Sequence, residues 1–221
     1  MADAGEQAGE IMFDAPGSRS PATNEAKTPR TARGERTRRR ILDAALAEFG
    51  GRGFADTGIV DITRRAKVAL GTFYTYFDSK EEVFRALVRD MSEQVKLAVA
   101  PAFGDRKGTL EGEEKALAAF LAFVGKHQQV YRIIDEAEFV DPAGFREHYE
   151  TTAARIAERL ADGAGNGLVA PAADPLDAEV RAWAIMGMNV FLGLRFGVWG
   201  NEDPVAVAAA GNRLIRDGLA S

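Results

Sequence analysis

Apolar side chains recur at helical spacing along most of the chain. Ile41, Ala45 and Phe49 fall on one stripe with Leu42 and Leu46 beside it, which predicts an amphipathic helix over about residues 33–49. Gly50, Gly51 and Gly53 end it. A short helix is predicted over about 58–66, with Thr57 as its cap, Asp61 in its first turn, and Ile59 and Ile62 facing inward. Lys67 and Val68 make a tight connection to a second short helix over about 69–76. Ser79 and Glu82 match a reciprocal capping box. The helix they open carries Phe84, Leu87, Val88, Met91 and Val95 on one face and is expected to stop before Pro101. A loop over 103–112 precedes helices at about 113–137, 143–162, 176–198 and 204–217, punctuated by Pro142, Pro171, Pro175 and Pro204. No segment alternates as a strand would, and no internal repeat is visible. The expected fold is all-α: a small N-terminal helix-turn-helix head on a larger helical body.

Charge sharpens that division. Residues 1–26 carry one basic and five acidic side chains, residues 27–80 twelve and six, and residues 81–221 fifteen and twenty-two. The net of -5 therefore conceals a local excess of +6 in the head, as a phosphate-binding surface requires. Residues 1–30, rich in Gly, Ala, Pro, Ser and Thr, read as a flexible tail. The expected domains are this tail, a DNA-binding head over 31–80, and an effector-binding and dimerisation body over 81–221. With no cysteine, disulfides and thiolate metal sites are excluded. His127 and His148 are the only histidines and lack zinc spacing, so neither metal nor cofactor is expected. No apolar run reaches the length of a membrane span, and the acidic, Gly-rich start is unlike a secretory signal. A cytoplasmic protein with no membrane partner is expected.

Two short helices joined by a tight turn and braced on both sides form a helix-turn-helix, which presents its second helix to the DNA major groove. The details are more specific. Gly53–Phe54, Thr57, Asp61–Ile62, Ala66, Val68, Gly71–Thr72, Tyr74, Tyr76–Phe77 and Ser79–Lys80–Glu81 together resemble the TetR family of bacterial repressors, over about residues 36–90. The resemblance implies a helical homodimer whose head binds a palindromic double-stranded operator and whose body holds a small apolar organic effector. The chain departs from the family pattern at Gly58, Thr63, Lys67 and Ala69. Gly58 and Ala69 remove hydroxyls that often touch phosphate. Lys67 replaces the usual turn glycine, bringing a flexible charge but losing glycine's conformational freedom.

The candidate DNA-binding residues are Arg38, Arg39, Lys67, Gly71, Thr72, Tyr74, Tyr76 and Lys80. Gly71 would admit close approach of the DNA, or else merely fit a tight helix contact. Thr72 offers a hydroxyl and a methyl to base edges. The resemblance implies a groove contact for Tyr74 and backbone contacts for Tyr76 and Lys80, with simple core packing the alternative for both tyrosines, while Arg38 and Arg39 read as nonspecific phosphate anchors. Phe73 and Phe77 are expected in the core. Some of these basic groups would simply face solvent.

In the body, alternation of small and large residues along 176–198 and the apolar positions of 204–217 suit a four-helix dimer interface. Its candidates are Val180, Trp183, Gly187, Phe191, Leu194 and Leu214; burial inside a monomer is the bland alternative. Phe123, His127, Tyr131, Tyr149, Met186 and Asn189 are candidates for contact with the effector, although the same pattern suits an ordinary core. No phosphate loop and no convergent nucleophile and base are visible, so an enzyme is not expected. A helical interaction module without DNA binding, and activation rather than repression, stay open.

Overall fold

A computed structural model describes Lys27 and residues 29–218; most of the expected tail lies outside the described residues. Among the described residues the chain is helical with no strand, a helix-turn-helix head on a helical body. The head comprises α1 (Ala32–Arg52), α2 (Ile59–Ala66) and α3 (Leu70–Tyr76), and α4 (Lys80–Phe103) leads into the body. There α5 (Leu110–Lys126), α6 (Gln129–Val140), α7 (Pro142–Gly165), α8 (Pro175–Leu192), a π-helical segment (Gly193–Val198) and α9 (Pro204–Asp217) follow.

The stripe read from α1 is buried: Ile41, Leu42, Ala45 and Phe49 meet Ile62 of α2, Phe73 of α3, Phe77, and Phe84 and Leu87 of α4. Phe49, Phe54 and Phe84 form a ring cluster with centroids 5.1–5.5 Å apart. This core continues without a break into Val130, Ile133 and Ala137 of α6. Residue 80 therefore marks a change of role in the chain, while the packing runs straight through it.

Several boundaries differ from expectation for identifiable reasons. α4 runs through Pro101, which stands within its last turn, so the helix ends at Phe103 rather than before the proline. The helix expected over 113–137 starts earlier, with Thr109 accepting the N–H of Gly112, and divides at His127–Gln128. The division lets α6 turn onto the end of α1, where Gln129 packs so close to Gly50 that a Cβ there would collide with it. Gly58, not Thr57, caps α2: its N–H donates to Asp61 at 3.0 Å, while the buried Thr57 hydroxyl donates to the Gly53 carbonyl at 2.8 Å. The box at α4 is half formed. Ser79 accepts the N–H of Glu82, but Glu82 reaches back one residue further, to the N–H of Asp78.

Lys67 settles the glycine question. It closes the α2–α3 turn in the left-handed region, at φ 53° and ψ 48°, which costs a residue with a Cβ about 1–2 kcal/mol. Arg40 holds the strained turn by donating to the carbonyls of Ala66 and Lys67. Lys67→Gly should raise unfolding free energy by about 0.5–1 kcal/mol, glycine's freedom in the unfolded chain taking back part of the gain. Urea denaturation will measure it; an unchanged midpoint would mean that the turn is not strained.

In the body, the ion pair of Arg159 with Glu113 (2.6 Å), almost wholly buried, ties α7 to α5, and Asn212 of α9 donates to Glu114. The tie between α4 and α7 is titratable. His148 Nδ1 lies 2.8 Å from Ser92 Oγ, and burial, reinforced by the charge of Arg155, lowers the imidazole's pKa. The unfolded chain therefore takes up this proton first, and stability is lost as pH falls through about 6.5 toward the folded value. His148→Gln should lose less melting temperature than the native chain between about pH 7.5 and 5.5. Parallel losses in the two proteins would remove the histidine from the account.

Candidate nucleic-acid interface

The geometry of α3 follows from which of its side chains the core holds. Phe73 and Phe77 are fully buried with rings 5.7 Å apart, as expected, and they fix the rotation of the helix about its axis. The opposite face carries Leu70, Gly71, Tyr74 and Thr75, all exposed, with Thr72 half-buried at its edge. No atom beyond the neighbouring backbone lies within 4 Å of where a Cβ on Gly71 would stand, so a tight helix contact is not what this glycine serves. Tyr74 stands out from the surface, braced edge-on against Phe73. Tyr76 turns back instead: it packs against the core, and its hydroxyl lies beside Gly34 in the first turn of α1. The Thr31 hydroxyl caps that turn by accepting the N–H of Gly34.

The basic residues divide into two sets. Arg39 binds both oxygens of Asp90 at 2.7 Å and also pairs with Asp43, joining α1 to α4. Lys80 donates to the Phe54 carbonyl at 2.8 Å and sits 4.2 Å from the Phe54 ring centre. Both were expected at phosphate; the structure gives both internal partners, because each lies where an acidic group or an orphan carbonyl needs a cation. Arg38 lies half-buried over the Phe77 ring. Lys67, at the tip of the turn, is exposed and makes no ion pair with a described residue, as do Arg33 and Arg36 on the first turns of α1. Lys27, counted with the tail, docks against the end of α3 through Asp78.

The sequence reading missed Leu70 and Val60. Both are large apolar side chains left exposed, Leu70 on the outer surface of α3 and Val60 in the first turn of α2. Leu70 falls three residues before Phe73, so helical spacing assigns it to the core. The available signal was different: the segment from Ala69 to Tyr76 contains no charged or amide side chain, so it must present either apolar groups or hydroxyls.

The body candidates scatter. Phe123 stacks on His127 at 4.5 Å beneath the head core, and Met186 is buried with Ala153 and Ile156. Tyr149 bridges the two clusters. Asn189 faces a cavity of about 10 Å³ shared with Asn212, whose Oδ1 is buried without a partner. A volume of that order holds one water, not an effector. Tyr131 donates its hydroxyl to the Val190 carbonyl at 2.5 Å and lines an open cleft of about 370 Å³ between α6 and the π-helical segment. The six therefore do not converge on one cavity. Among the interface candidates, Val180, Trp183 and Phe191 lie exposed on one face of α8, with Leu176 extending it. Gly187 lies open on that stripe and Leu214 is exposed on α9, whereas Leu194 faces the cleft.

Comparison with known proteins agrees with this geometry. Residues 41–87, spanning α1 to α4, match the model of the bacterial regulatory proteins of the tetR family. The HTH-type transcriptional regulator YdgC of Bacillus subtilis is 29% identical over 194 residues, covering 85% of this chain and 95% of the relative. A TetR-like regulator from Rhodococcus superposes with a TM-score of 0.66 at 27% identity, over 83% of this chain and 95% of that one. FadR of Bacillus subtilis, solved with stearoyl-CoA, has the same fold, with a TM-score of 0.68 at 18% identity over 82% and 99%. Residues 41–87, with an outward-facing α3 on a buried aromatic anchor, thus form a head similar to that of the TetR family of bacterial transcriptional regulators.

Proposed function

We propose that this DNA-binding regulator acts as a homodimeric repressor, with its head reading a near-palindromic operator and its body releasing it when an organic effector binds. The observation that carries the reading is the outer face of α3, held by Phe73 and Phe77 inside the segment where positive charge is concentrated. Residues 31–80 supply DNA contacts and residues 81–221 supply dimerisation and effector binding. Gly71, Thr72 and Tyr74 face the groove; Lys67, Arg38 and Tyr76 meet the backbone. The exposed stripe of α8 with Leu214 is the surface for a second copy. Support for an organic effector comes from the stearoyl-CoA held by FadR, a protein of the same fold.

Selection from genomic fragments, followed by footprinting, tests the reading. The expected footprint is two-fold symmetric, with half-site centres about 34–36 Å apart. Thr72→Ala should relax discrimination at one position per half-site by about 1–3 kcal/mol. Lys67→Ala should weaken all operators alike and flatten the salt dependence. Binding that does not distinguish the selected fragment from a scrambled one would overturn the assignment.

A further inference from the structure

We propose that the cleft between α6 and the π-helical segment binds an organic cation, and that this ligand loosens the grip of α6 on the head; the second step rests on the reading that an effector releases the operator. The cleft measures about 370 Å³, a size in the range of small-molecule sites. Leu194 and Val198 line it, and Phe139 and Trp199 stand in it 83% and 70% exposed. Large aromatic surfaces left in water beside an apolar wall favour a ligand with a substantial apolar part.

Charge selects the kind of ligand. Asp135, Glu136 and Arg132 line the same cleft. Arg132 is already engaged, donating to the carbonyls of Gly50 and Gly51 and pairing with Glu136 at 3.6 Å. The carboxylate of Asp135 makes no ion pair with a described residue, and partial burial, then the charge of Glu138, raises its pKa. A cation placed there would relieve that cost. The rings add their own attraction for positive charge. An amine, guanidine or quaternary ammonium carried on rings satisfies both demands, whereas a fatty carboxylate or an acyl thioester brings the wrong sign.

The same two charged residues hold the head. Glu136 accepts the N–H of Phe54 at 2.8 Å while Arg132 covers the last carbonyls of α1. A ligand cation competing for Glu136 takes it from both Arg132 and Phe54. It thereby favours arrangements in which α1, and α3 with it, are no longer fixed to α6.

The matched ions tetraphenylphosphonium and tetraphenylborate share a shape and differ in sign, which makes them the probes. Trp183 and Trp199 are the chain's two tryptophans, so the Trp183→Phe protein reports the cleft through Trp199 fluorescence. The phosphonium should quench it saturably and bind at least about tenfold more tightly than the borate. Asp135→Asn, an exposed isosteric change, should erase that preference while keeping the melting temperature, and Phe139→Ala should weaken the phosphonium. The phosphonium should lower operator affinity about tenfold in the native chain and leave Asp135→Asn unmoved. Equal or tighter borate binding, an unaltered preference in Asp135→Asn, or a Trp199 already shielded from iodide by a second copy would overturn the site. Saturation of the cleft without change in operator affinity would overturn the coupling. Operator binding measured without probe fails or stands separately, and tests the DNA reading alone.

Discussion

Replacing Trp183 and Phe191 together with glutamate is expected to leave a folded monomer that has lost about 10²–10⁴-fold in operator affinity. Leu176, Val180, Trp183 and Phe191 form a single exposed stripe along α8, broken only by the open Gly187, and Leu214 of α9 is exposed as well. Apolar side chains exposed on this scale and aligned along one helix are what an association surface presents, and the stripe is the surface proposed for a second copy. A two-fold contact would place each stripe against its copy, so each substitution enters the interface twice. Four carboxylates would then lose water without a cation to meet them. The core of the monomer should be untouched, since neither side chain belongs to a buried cluster.

The operator effect is larger than the effect on folding because it removes a second binding event. In a dimer, the second head binds at an effective concentration set by its tether to the first. A monomer reads one half-site and has only that half-site's affinity. Sedimentation equilibrium and operator titration should therefore change together, with circular dichroism constant. A double variant that still sediments as a dimer would remove this stripe from the interface, whatever its affinity for DNA.

The head was legible because its signals are local. The stripe of α1, the tight α2–α3 connection and the buried pair Phe73 and Phe77 each depend on a few neighbouring residues, and the structure has all three. What escaped was set by partners far away in sequence. Arg39 and Lys80 look like phosphate anchors until Asp90 and the Phe54 carbonyl are placed beside them, 51 and 26 residues distant. The break between α5 and α6 carries no proline and follows from docking on Gly50. In the body the limit is different in kind. A residue lining a ligand cavity and one filling a core share the same period, so Met186 and Tyr131 were indistinguishable. Only their neighbours put the first among Ala153 and Ile156 and the second beside an open cleft.

Operators in which thymines of the half-sites are replaced by deoxyuridine should bind more weakly, and this dependence should vanish in Leu70→Ala. The proposed recognition helix α3, Leu70–Tyr76, reads LGTFYTY, without arginine, lysine, asparagine or glutamine. It therefore cannot make the bidentate contacts that usually identify guanine and adenine. The Thr75 hydroxyl already donates to the Gly71 carbonyl, and Tyr76 turns back toward α1, which leaves Thr72 and Tyr74 as its side-chain donors toward base edges. What α3 offers in quantity is apolar surface: Leu70 and Tyr74 are 47% and 46% exposed, with Ala69 next to them. The feature of the major groove that rewards such surface is the thymine methyl. Burying one methyl is worth about 0.8 kcal/mol. One contact per half-site in a dimer then gives roughly 1.6 kcal/mol, or about fifteenfold. The substitution removes only a methyl group and leaves Watson–Crick pairing intact, so it separates this contact from hydroxyl readout. In a cycle of thymine or uracil operators against the native or Leu70→Ala protein, the two losses should fail to add, because each removes the same contact. Equal affinity for the two operators would show that α3 reads through Thr72 and Tyr74 alone. Undiminished uridine sensitivity in Leu70→Ala would move the methyl contact to another side chain of this face, with Tyr74 the next to change.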